Sequence, residues 1–232
     1  YDFIGSDNAN ISSAYTGWID LFGWGTSGWN SGATCYQPWS TTATSSSYYP
    51  GGSTGGNNCL TGDYANADWG VYNAISNAGN TSGYLRCFTY DEYNYLKANN
   101  SGVAKGSIAV GGNVIKGMII LPKIWSLPQG CSFTEGGSST AFSTNSYTEA
   151  QWHLMEAAGA VFFPTAGSRS NKSISGTYSD GYYWSSTSTN SVSHMGRTID
   201  LRSAKFVSIS DFQTSDRVKY LGSSVRLVKP MN

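Results

Sequence analysis

Residues 181–228 constrain the fold more than any other stretch of the chain, reading GYYWSSTSTNSVSHMGRTIDLRSAKFVSISDFQTSDRVKYLGSSVRLV. Aromatic and β-branched residues bounded by Ser, Thr and Gly predict strands at 182–186, 195–201, 206–209 and 225–228. Met195, Arg197, Ile199 and Leu201 alternate with Gly196, Thr198, Asp200 and Arg202, so one face can enter a core while the other stays in water. Residues 211–221 show no clear periodicity and read as a loop between strands. That loop nevertheless carries Phe212, Val218, Tyr220 and Leu221 among its charges.

Upstream, helices and one buried strand are expected. Trp69, Tyr72 and Ile75 recur at helical spacing within a first helix at 67–76, stopped by Asn77 to Gly79. Thr89 and Glu92 have the spacing of a capping box and open a second helix at 91–97. Thr148 and Gln151 do the same for a third at 149–158, which ends at Gly159. The apolar run 114–121, between Gly111-Gly112 and Pro122, predicts a central strand, and 160–163 a short buried one ended by Pro164. Helices placed ahead of a strand-rich half give an α+β domain. The opening block sets Trp18, Phe22, Trp24 and Trp29 among glycines, where the indoles supply buried area. Residues 33–62 lack periodicity and form a long loop.

Charge and composition narrow the function classes. Fourteen Lys and Arg balance fourteen Asp and Glu, and charged residues make up only 12% of the 232, which argues against a nucleic-acid partner. Sixteen Tyr, eight Trp and 28 Gly suit recognition loops. No run approaches the roughly 20 apolar residues of a membrane span. Cys35, Cys59, Cys87 and Cys131 lack metal-like spacing and allow three disulfide pairings. Closure of the long polar loop favours Cys35 with Cys59, leaving Cys87 and Cys131 as a second pair or two free thiols.

No catalytic constellation emerges. His153 and His194 have no second ligand at metal spacing, and the glycine clusters lack a following Lys-Ser or Lys-Thr. Asp91, Glu92, Asp200, Asp211 and Asp216 would hold Ca²⁺ only if the fold gathered several oxygens together. No cofactor or metal is therefore expected, and no catalytic residue.

Several strings occur in a fixed order: WIDLFGWGTSGWNSG, YANADWGVYNAISN, TYDEYNYL, VIKGMIILPKIW, YTEAQWHLMEAAGA, VFFPTAGSR, GYYWSSTS and SVRLV. Together they resemble the major paralogous (FISUMP) domains of Bacteroidales surface proteins, which are similar to the C-type lectin-like superfamily. The resemblance covers most of the chain, residues 34–62 least. It implies a single C-type lectin-like domain over 1–232, with an antiparallel C-terminal sheet, two to three helices packed outside it and long loops. It also implies an extracellular or cell-surface location, with a further N-terminal strand and an export signal ahead of Tyr1. The Glu-Pro-Asn, Gln-Pro-Asp and Trp-Asn-Asp tripeptides of Ca²⁺-dependent sugar-binding lectins do not occur here. The close cysteine arrangement of the formylglycine-generating oxidases is missing as well, so that enzyme class is the minor alternative.

Within that frame Arg169, Arg226 and Trp184 read as scaffold. Thr198, Asp200, Arg202, Phe212, Arg217, Tyr220 and Leu221 have no evident core duty and form the expected surface for a protein or glycan ligand. The tail also resembles the variable region of lectin-fold proteins diversified by retroelements, where strings like YWSST and SVRLV flank changeable residues. A structural or assembly module of a surface appendage is the second reading, and an exposed edge strand would be its mark.

Overall fold

The structure, a computed structural model, describes residues 5–54, 58–137, 139–188, 201–207 and 211–230, with the strand pairing alone described at 201–207 and 211–215. The protein is mixed α+β, with mostly strands and few helices.

The first third is irregular and punctuated by 3₁₀ turns at Gly5–Asn10, Ser45–Tyr48, Gly52–Thr54 and Gly62–Ala67. Next come α1 (Trp69–Tyr72), β1 (Arg86–Cys87) and α2 (Tyr90–Ala98). The first helix is a single turn where 67–76 was expected. Asp68 caps it by accepting from the Gly70 amide at 2.9 Å, and it stops at Asn73, whose backbone is extended. Gly70 lets it pack closely on the neighbouring chain, because a Cβ there would lie 2.8 Å from the carbonyl group of Leu85. The apolar spacing was real, but the chain turns out of the helix at Asn73, whose side-chain amide donates to Ser27 O and Trp69 O, both at 3.0 Å.

The second and third helices follow their capping boxes. Thr89 and Glu92 close α2 reciprocally, and Thr148 and Gln151 close α3 (Glu149–Ala157). Trp152 and Met155 are the buried face of α3, which packs on the sheet with Tyr147 and Phe162.

That sheet runs β4-β2-β3-β5, from β2 (Asn100–Val110), β3 (Asn113–Pro122), β4 (Ser146–Thr148) and β5 (Val161–Pro164). Its hairpin turns on Gly111 and Gly112, both with positive φ, between Val110 and Asn113. β3 is internal to the sheet, as its apolar run predicts. β2 was not foreseen, because Gly102 and Gly106 interrupt its alternation. At Gly106 a Cβ would meet the Ile119 side chain and stand 2.7 Å from the Asn145 carbonyl, so close packing requires glycine there.

A two-stranded ribbon, β6 (Ser168–Ser170) and β7 (Ser173–Ser175), leads to the C-terminal sheet. This has the order β10-β9-β8-β11, from β8 (Gly181–Trp184), β9 (Leu201–Val207), β10 (Asp211–Arg217) and β11 (Ser224–Val225). Three corrections apply to the tail. Residues 211–217 form a strand paired in full register with β9, where a loop was expected. The sheet is not wholly antiparallel, since β11 pairs parallel with β8. The expected strand at 225–228 divides, β11 joining β8 while β12 (Leu227–Val228) pairs with β1. Of the other tail strands, 182–186 is found as β8 and 206–209 in part as β9. The strand at 195–201 lies outside the described residues up to its last position.

The core is aromatic and lies on both faces of β8. Tyr183 joins Tyr93, Met118, Ile120 and Phe163, while Trp184 joins Trp24, Leu60, Trp69 and Cys87. The beginning and end of the chain meet at this point. The Phe22 carbonyl accepts from the Ser223 amide at 3.0 Å and from Trp184 Nε1 at 2.6 Å, and Trp24 Nε1 donates to Ser185 O at 2.8 Å.

Candidate functional site

The C-terminal face is built on the β9–β10 hairpin, whose register runs from Leu201↔Arg217 to Val207↔Asp211. β10 is the end strand of its sheet. The chain leaving it is held by three cation–π contacts. The Arg217 guanidinium lies 3.9 Å from the centroid of the Tyr182 ring, and Lys219 Nζ lies 4.2 Å from Trp24 and 4.6 Å from Tyr49. Burial lowers the pKa of both, that of Lys219 to about 7, with Cys59 acting in the opposite direction on the lysine. Arg217 Nε is buried with no hydrogen-bond partner.

Beyond Lys219 the tail is anchored firmly. Gly222 exchanges backbone hydrogen bonds with Arg169 at 2.7 and 3.0 Å, and Ser223 does so with Phe22. Arg169 is buried, and its Nε and Nη2 donate to the Leu21 carbonyl at 3.0 and 2.7 Å, with Nη1 donating to Asn171 O at 2.7 Å. It is scaffold, as its sequence context suggested. Trp184 is fully buried, likewise as expected.

The seven expected contact residues fare differently. Thr198 and Asp200 lie outside the described residues. Arg202 stands on β9 opposite Asp216, and Phe212 on β10 opposite Phe206. Tyr220 and Leu221 are half-buried beside the hairpin base. Arg217 departs from the expectation of an outward side chain without core duty, because it is stacked and desolvated against Tyr182. An arginine following an acidic, serine-rich run gives no hint of an aromatic partner 35 positions upstream in sequence.

The thiols have separate surroundings and none forms a disulfide, contrary to the expected Cys35–Cys59 pair. Cys35 sits among Ser40, Thr42 and Tyr48, whereas Cys59 Sγ accepts from the Ser188 amide at 3.4 Å. The loop of residues 33–62 is tied instead by backbone hydrogen bonds, Cys35 N to Ser47 O and Leu60 N to Ser186 O. Among the described residues no group of three or more His, Cys, Asp or Glu is placed to hold a metal ion. Glu92, one of the carboxylates considered for Ca²⁺, is engaged by Arg86.

A second feature was missed by sequence reasoning. An open groove of about 580 Å³ lies beside the N-terminal segment, lined by Trp18, Phe22, Trp69, Asn73, Val225 and Leu227 among others. The sequence places Trp18 and Phe22 in a glycine-rich block with no periodicity, so packing was the natural expectation. Trp24 fulfils it and Trp18 does not, being 75% exposed.

No family model, curated protein or solved structure matches the chain. No helix among the described residues is long and apolar enough to cross a membrane.

Proposed function

We propose that the chain is a non-enzymatic recognition domain of C-type lectin-like architecture from a bacterial surface or secreted protein. It binds a protein or glycan through side chains of the C-terminal tail, those of Thr198, Asp200, Arg202, Phe212, Arg217, Tyr220 and Leu221. The observation that carries this reading is the contrast within the tail. Residues 222–228 are fastened through Arg169, Phe22, Trp184 and Cys87, while β10 ends its sheet. A rigid base under an edge hairpin suits recognition, because contact residues can vary without loss of the fold. The sequence resemblance supports the lectin-like assignment.

The isolated domain, screened on combined glycan and protein arrays, tests the reading. Selective binding that is lost on replacing Phe212, Tyr220 and Leu221 together with Ala is the expected result. Binding retained by that variant would contradict it. The end position of β10 also favours a second reading, an assembly module that pairs this strand with another subunit. Concentration-dependent self-association, abolished by a proline within β10, would select that alternative.

A further inference from the structure

The groove beside the N-terminal segment shares no lining residue with the hairpin face. Its volume, about 580 Å³, lies within the range of small-ligand sites. None of its lining residues is charged. An ionic ligand would therefore lose hydration there without finding a counter-charge. The lining is not uniformly apolar either. Asn73 holds its amide nitrogen toward Ser27 O and Trp69 O, both at 3.0 Å, which leaves its carbonyl oxygen to accept from a ligand. Thr16 adds a hydroxyl. A hydrocarbon ligand would leave these polar groups unserved.

The aromatic surface supplies the rest of the selectivity. Phe22 and Trp69 lie with ring centroids 5.8 Å apart, inclined by 37°. Trp18 stands at the rim with most of its indole in solvent, a costly placement for a side chain of that area. The groove is also pre-shaped. Asn73 bridges two backbone segments, and the Phe22 carbonyl is fixed by Ser223 and Trp184. A ligand that fits has no charge, carries flat apolar faces for the rings and presents hydroxyls for Asn73 and Thr16. We infer that the groove binds neutral saccharides, with a sugar ring stacked on Trp18.

Cellohexaose, maltohexaose and mannohexaose serve as neutral probes, with oligogalacturonate as the acidic control and nonaproline as a peptide control. Binding is read by tryptophan fluorescence and by saturation-transfer NMR. At least one neutral hexaose is expected to bind and the acidic control not to. Trp18→Ala should weaken that binding at least tenfold with an unchanged melting temperature, and Trp18→Phe should restore part of it. The Phe212, Tyr220 and Leu221 alanine variant should bind the hexaose like wild type, so the groove can stand or fall independently of the hairpin face. The inference is overturned if no neutral hexaose binds, if oligogalacturonate binds equally, if nonaproline binds in their place, or if Trp18→Ala has no effect.

Discussion

Leu21 shows how single residues hold the two ends of the chain together. It is buried with φ at 61°, a left-handed conformation unusual for a branched side chain, and its carbonyl receives two donors from Arg169. The ion pair of Arg86 with Glu92 is of a different kind, bidentate and partly exposed, with Glu92 also serving the Thr89 cap. The hydrogen bonds from Arg86 hold the Glu92 pKa down to about 2, against an ordinary 4.5. Its contribution is therefore complete above pH 4.5 and is lost as pH falls toward 2. Glu92→Gln preserves the cap and removes the charge, so it should cost no more than about 1 kcal/mol at pH 7. Denaturant titrations at pH 7 and pH 3 should show a smaller acid loss in the variant. Lys219 behaves oppositely, because burial favours its neutral form. Between about 7 and 10.5 the unfolded chain keeps a proton that the folded chain has released, so raising pH through this window stabilises the fold. Lys219→Met should remove that rise, as measured by unfolding at pH 6.5, 8 and 9.5.

At the scale of elements, local signals were legible where a few neighbouring residues decide the outcome. The capping boxes at Thr89 and Thr148 and the run ending at Pro122 located α2, α3 and β3 within a residue or two. Elements decided by distant partners were not legible. β10 forms from DFQTSDR, which has no apolar alternation, because β9 offers it a full ladder of partners. α1 stops at Asn73, whose side chain reaches the distant Ser27 carbonyl, a contact that helical spacing does not reveal. Glycine marks such contacts without revealing them. At Gly117 on β3, a Cβ would stand 2.5 Å from both the Phe162 ring and the Phe163 carbonyl of β5. Gly117→Ala should therefore destabilise the protein by about 1–3 kcal/mol, measured by chemical denaturation, although alanine is ordinarily harmless in an exposed strand. A change below 0.5 kcal/mol would mean that β5 yields easily and that the sheet is looser than its register implies.

Across the whole molecule, the tail strands close onto early segments: β12 on β1, Ser223 on Phe22, and Lys219 on Trp24. The α+β class could be read from the sequence, since it depends on the number and order of elements. The groove could not, because Trp18, Trp69 and Val225 meet only through that closure. The same closure makes Trp184 a core residue. The most direct measurement pairs ligand affinity with melting temperature, using whichever array component the wild-type domain binds. Phe212→Ala, Tyr220→Ala and Leu221→Ala should each lower affinity markedly, by up to about 2 kcal/mol, while shifting stability far less. Trp184→Ala should cost about 3–5 kcal/mol of stability regardless of ligand. Affinity unchanged in all three hairpin-face variants, or unfolding of those variants on the scale of Trp184→Ala, would contradict a ligand-binding C-terminal face and assign it to the scaffold.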